Sequence, residues 1–223
     1  MNEYLITLLL TVKLAILTTI ILLIIGIPIA YFLASSSSRF KPVIHSLISL
    51  PLVLPPTVIG YYLLVSFSPD SWLGGFLEKH LGFYLAFTFE GMLVGSIIYS
   101  LPFMIQPLES GLRSLPSSLK EASYTLGKTK WQTLYKVLLP SIKPSILSAT
   151  ILTFAHTLGE FGIVLMIGGS IPGETKVASI AIFNEVEALN YASANTYSLI
   201  LFTFSFIILL GIYLINNRQH KLF

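Results

Sequence analysis

Two ionisable side chains in an apolar stretch, His156 and Glu160, are the first candidates for chemistry. They stand at i and i+4, one face of a helix, where an imidazole and a carboxylate can share a proton, bond to each other or hold a metal. Ionisable groups inside a membrane segment are functional suspects by default. A metal centre needs three or four ligands, and no second ligand cluster accompanies this pair. The sequence has no cysteine, which removes thiolate metal sites, disulfides and cysteine nucleophiles. Gly127-Lys128-Thr129 copies the end of a phosphate-binding loop. However, G-x-x-x-x-G-K-[ST] requires glycine where Ala122 stands, and a strand before it. Metal and nucleotide sites are therefore not expected. His156 and Glu160 read either as the centre of an intramembrane enzyme or as a pair that holds a gate or the helix shape.

The elements that must position these residues lie in a membrane. Of 223 residues, 54% are hydrophobic and only 10% charged, against roughly a quarter charged in soluble domains. The mean hydropathy is +0.82. The net charge of +3 comes without a basic tail, so nucleic acid is not an expected partner. Apolar runs at 5–34, 43–67, 85–107, 145–168 and 196–215 are each long enough to cross a hydrocarbon layer of ~30 Å at ~1.5 Å per residue. The first is too long for a signal peptide, and Glu3 replaces the usual basic flank. The chain reads as all-α and integral to the membrane, with five transmembrane helices in one domain over 5–216. Pro51, Pro55 and Pro56 interrupt the second run, with Gly60 after them, and no regular helix holds all three prolines.

Charge placement gives an orientation. Ten of the 13 Lys and Arg, from Arg39 to Lys221, fall on one side of a five-span path, and the other side carries Glu3, Asp70, Glu78, Glu174, Glu185 and Glu187. Basic loops remain in the cytoplasm, so the N-terminus is expected outside and the C-terminus inside. Six of those cations, Arg113 and the five lysines of the polar interval 115–144, lie between the third and fourth spans. Ser118 and Glu121 have capping-box spacing, Leu119, Ala122 and Leu126 form an apolar stripe, and Gly127 stands where a left-handed cap belongs. A second short helix runs from Lys130 until Pro140 interrupts it. Two amphipathic helices with a glycine elbow could dock a soluble partner or lie on the membrane surface. A polar loop, 170–195, leads to the fifth span, with a compositional turn at Pro172-Gly173-Glu174-Thr175.

Glu121-Ala122-Ser123, then Gly127, then Val137-Leu138-Leu139-Pro140 resembles the EAA loop of type I ABC importer permeases, with serine in place of the second alanine. The segment Pro51 to Gly60 and the block Gly159-Glu160-Phe161-Gly162 are similar to the molybdate and sulfate branch of that family. The resemblance implies a permease subunit of an ATP-driven molybdate importer in the prokaryotic cytoplasmic membrane, with sulfate or tungstate as alternative substrates. It implies a homodimer working with two ATP-binding subunits and an extracytoplasmic molybdate-binding protein. No cofactor is expected on this chain, since the partner ATPase uses the ATP. Ser118, Glu121, Ala122, Ser123, Leu126, Gly127, Leu139 and Pro140 would couple to that ATPase. Pro51, Pro55, Pro56, Thr57, Gly60, Gly159, Glu160, Phe161 and Gly162 would line a path or gate, with Glu160 bonded within the bundle and not to the anion. Pro172, Gly173, Glu174 and Thr175 would dock the binding protein.

Overall fold

The computed structural model describes residues 3–36 and 38–220. Among these every regular element is a helix. Lys221, counted above with the cytoplasmic cations, lies outside the described residues.

Helix α1 (Glu3–Ser35) is apolar all round, as a helix enclosed by lipid and protein must be. Its buried side carries small or hydroxylated residues, and Thr11 and Thr19 return their hydroxyls to the carbonyls of Thr7 and Ala15 at 2.8 and 2.7 Å. That gives both hydroxyls a partner within the helix and allows close packing on α5 (Phe89–Ser114). Thr88 caps α5 by accepting from Gly91 N at 3.1 Å.

The second apolar run does not cross as one rod. It forms α2 (Lys41–Ser49), a 3-10 turn at Leu50–Leu52 and α3 (Pro56–Phe67), with a bend of 108°. Pro56 holds Pro55 out of the helical region (ψ 139°), so a new helix starts at Pro56. The break follows from the prolines, and the run forms a bent pair of helices in place of one rod. Helix α4 (Trp72–Leu81), capped by Ser71, occupies the following loop.

The elbow comprises α6 (Ser117–Thr125), α7 (Lys130–Thr133), a π-helical turn at Leu134–Leu138 and α8 (Leu139–Ser141). Pro140 does not end the helix. The wide turn bonds Leu139 N to Leu134 O, and the chain continues to Ser141 before turning by 81° into α9 (Lys143–Leu158). The fourth apolar run is also divided, since α9 stops at Leu158 and α10 (Gly162–Gly168) follows three residues later. The loop expected at 170–195 contains α11 (Ala178–Glu187), and α12 (Tyr191–His220) begins before the expected fifth span. Among the described residues three helices are long and apolar enough to cross a membrane, or up to five if each bent pair counts as one span.

The main core joins these parts. Leu22 and Leu33 of α1, Met104 and Leu108 of α5, and Leu134 and Leu138 of the elbow are all fully buried in one cluster. The elbow is thereby bolted into the bundle rather than laid against it.

Candidate functional site

Two regions carry the candidate residues. In the elbow, Pro116 takes the cap position in an extended conformation, Ser117 opens the helix, and no side chain caps it. The box expected from Ser118 and Glu121 is therefore absent, because Ser118 lies already inside the first turn. The box forms one helix later. Gln132 N donates to Thr129 Oγ1 at 3.3 Å, and Thr129 N donates to Gln132 Oε1 at 3.0 Å. Thr129 and Gln132 carry the T-x-x-Q signature in sequence, so this signal was available.

Gly127 ends α6 as expected, at φ 73°. Its N–H donates to Tyr124 O at 2.9 Å and Lys128 N to Ser123 O at 3.1 Å, the paired bonds of a Schellman turn. Behind the turn, buried Ser123 Oγ lies 2.9 Å from Thr133 Oγ1 and latches α6 to α7. Serine in place of the usual alanine thus gains a hydrogen bond inside the elbow. Glu121, Ala122, Leu126 and Gly127 face outward, with Leu126 77% exposed. Ser118 and Pro140 are exposed and Leu139 is half-buried. The outward face is apolar at its tip, and the inner face belongs to the core shared with α1 and α5.

The second region is the junction of the two broken spans. A methyl group on Gly162 would lie 2.7 Å from Pro56 Cβ, and one on Gly60 2.8 Å from Met166 Cβ. The half-helices α3 and α10 therefore approach as closely as backbones can, which brings Pro56, Gly60 and Gly162 together. Pro51 is buried at the turn beside α5, whereas Pro55, Thr57 and Gly159 are exposed on this chain. Phe161 is half-buried, its ring 4.9 Å from Phe183.

Glu160 sits in the break between α9 and α10, 5% exposed. It does not bond to His156. With α9 ended at Leu158 the i, i+4 relation no longer holds, and His156 turns toward α5, its Nδ1 3.0 Å from Ser100 Oγ and its ring 4.0 Å from that of Phe103. Ser100 Oγ also lies 3.2 Å from Thr157 Oγ1. What holds Glu160 is its main chain, whose carbonyl accepts from Ser179 Oγ at 2.6 Å, while both carboxylate oxygens and Ser96 Oγ lack hydrogen-bond partners.

At 172–175 a turn forms as expected. Pro172, Gly173 and Glu174 are exposed, but Thr175 is fully buried. Its hydroxyl donates to Gly168 O at 2.6 Å and accepts from Ile171 N at 2.9 Å. Thr175 pins the turn from inside and is not a surface for a partner. The sequence reading missed a buried acid, Glu109, whose Oε1 lies 2.7 Å from Arg113 Nη2 and 3.1 Å from His45 Nε2. It borders a cavity of about 790 Å³ with Lys41 and Gln106. The i, i+4 spacing of Glu109 and Arg113 at the end of an apolar run was the available signal.

Residues 26–221 match the family described as the binding-protein-dependent transport system inner membrane component. The chain belongs to that family. The molybdenum transport system permease protein ModB of Azotobacter vinelandii is 45% identical over 213 residues, 95% of this chain and 93% of the relative. A probable sulfate transport system permease protein, cysT of Chlorokybus atmophyticus, is 31% identical over 207 residues, 93% of this chain and 72% of the relative. The fold is shared with a bacterial alginate ABC transporter solved in complex with an alginate pentasaccharide-bound periplasmic protein, at TM-score 0.80 and 18% identity over 99% of this chain and 81% of that one. As a binding-protein-dependent permease, the chain is a multi-pass transport component of the inner membrane and not an enzyme. The reading of His156 and Glu160 as a hydrolytic centre falls with that.

Proposed function

We propose that this chain is the permease of an ATP-driven importer that moves molybdate by alternating access. The observation that carries the substrate is the 45% identity, along nearly the whole of both chains, to a molybdenum permease; the sulfate relative is more distant at 31%. Molybdate is a dianion, for which bare hydrocarbon is prohibitive, so it needs a protein-lined route. Two permease copies would enclose that route, fed from outside by a molybdate-binding protein and driven by two ATPase subunits that bind the ATP. The N-terminus would lie outside and the C-terminus inside, which puts the elbow on the cytoplasmic side.

In this reading the exposed tip formed by Glu121, Ala122, Leu126 and Gly127 enters a groove on the ATPase. Leu134 and Leu138, fully buried with Met104 and Leu108, carry its displacement into the bundle. The junction of Pro56 with Gly162 is the place where two half-helices can shift against each other, and broken spans are where transporters build their routes. Pro172, Gly173 and Glu174 are the exposed part of the turn offered to the binding protein. Radiolabelled uptake by vesicles holding the whole complex tests the substrate. Molybdate accumulation that requires ATP and yields to excess molybdate, but not to equal sulfate, is expected. Sulfate-selective uptake would make this a sulfate permease, and uptake without the ATPase would end the coupling role of the elbow.

A further inference from the structure

Where the elbow meets the end of α1 there is a groove of about 640 Å³. Its mouth is basic and aromatic, with Lys120 and Lys130 flanking Tyr31, Tyr124 and Trp131. Lys120 is held in place: its Nζ donates to Ser35 Oγ at 3.1 Å and stands 5.7 Å from the centre of the Tyr31 ring. Among the described residues neither lysine is paired with a carboxylate. Pro28 and Phe32 line this groove and also a second groove of about 430 Å³. That second groove is apolar throughout, continuing past Ile29, Ile48 and Ile105 between α1, α2 and α5. A cationic, aromatic mouth at the elbow therefore adjoins a hydrocarbon trench along the spans, with Pro28 and Phe32 shared between them.

Neither half explains the other unless the ligand has two halves. A small oxyanion would answer the lysines and leave the trench bare; an apolar helix would fill the trench and leave the lysines unused. Trp and Tyr concentrate at the depth of lipid headgroups, and basic pockets between transmembrane helices bind acidic ones. We propose that these adjoining grooves are a binding site for an anionic phospholipid, its phosphodiester between Lys120 and Lys130 and an acyl chain laid over Phe32 into the trench. Such a lipid ties α1 to both helices of the elbow. The site requires only that the chain spans a membrane and is independent of which anion is carried.

Trp131 at the mouth is the probe. The chain has two tryptophans, and Trp72→Phe leaves Trp131 alone. The full-length permease in mild detergent is titrated with phosphatidylglycerol or phosphatidylcholine, each brominated in its acyl chains to quench indole fluorescence. Quenching by phosphatidylglycerol is expected at concentrations on the order of thirtyfold lower, from two lysines at a membrane surface. Lys120→Gln with Lys130→Gln should erase that preference, Lys120→Arg with Lys130→Arg should keep it, and millimolar inorganic phosphate should leave it untouched. Equal quenching by the two lipids, or a preference that survives the glutamine pair, overturns the proposal. Displacement by phosphate would make the mouth a free-anion site, and no quenching by either lipid would mean that protein covers it; both outcomes refute the lipid.

Discussion

The elbow and the junction of the broken spans each depend on a glycine, for different physical reasons. At Gly127 the demand is internal: a left-handed backbone angle, with open space where a side chain would go. At Gly162 the demand comes from outside, from the ring of Pro56, which folding brings against it from a distant part of the chain. One glycine shapes the chain and the other admits a neighbour. A lever must keep its own form while its surroundings change, and a gate must pack tightly against what it moves against.

Substitution separates the two. Gly162→Leu should have the largest effect, because Pro56 Cβ is fixed by its ring and cannot retreat from a new side chain. Overpacking of this kind costs ~1–3 kcal/mol or more, so the folded yield in detergent, the melting temperature and uptake should all fall together. An unchanged melting temperature would show that α3 and α10 separate freely and that the close approach is dispensable. Gly127→Val meets no neighbour, but a β-branched residue in the left-handed region costs ~1–2 kcal/mol, confined to the turn. Membrane insertion and melting temperature should stay near those of the parent while ATP-driven uptake is lost. Gly127→Asn, which tolerates that angle, should restore part of it. Normal uptake by the valine variant would contradict the coupling role.

That contrast also explains what could be read in the sequence. The elbow was legible because its signals are local: the left-handed stop at Gly127 and the spacing of its leucines need only nearby residues. Even there the first cap was misplaced, since Pro116 takes the position that Ser118 was expected to support. The three prolines announced a break between α2 and α3 but not its 108° bend, which goes with long-range packing: α3 lies against α10 while α2 and the turn lie against α5. His156 and Glu160 looked like partners only while one helix was assumed to contain both. The end of α9 at Leu158, and the serine on α5 that takes up His156, are facts of packing. The composition fixed a membrane class and left open how many of the bent pairs cross.

A smaller effect tests the caps directly. Thr129→Ala removes an oxygen that accepts a backbone N–H, worth ~1 kcal/mol at a helix start, whereas exposed Ser118 caps nothing and its alanine variant should stay within ~0.5 kcal/mol of the parent. Hydrogen exchange should report faster opening at residues 130–133 for Thr129→Ala and no change for Ser118→Ala. The opposite ranking would mean that α6 begins at Ser118 after all and that the box with Glu121 exists.

The smallest expected effect is a ratio that does not move. Glu160 holds its carboxylate in a site 5% exposed, bordered by Ser96 on α5. Placed on the route, that carboxylate would repel a dianion by ~1 kcal/mol or more at contact even in water, and more steeply in a protein interior. An ionised carboxylate would not favour a site that binds oxyanions, and the role proposed for Glu160 is to hold the break between α9 and α10, where Ser179 donates to its carbonyl. Glu160→Gln preserves the volume and the polar atoms and removes only the acid. The absolute rate of uptake can change if the break is altered, but the preference for molybdate over sulfate in competition should not. A tenfold shift in that preference, equivalent to ~1.4 kcal/mol, would place the carboxylate in contact with the travelling anion, and the junction would then be the selectivity site as well as the gate.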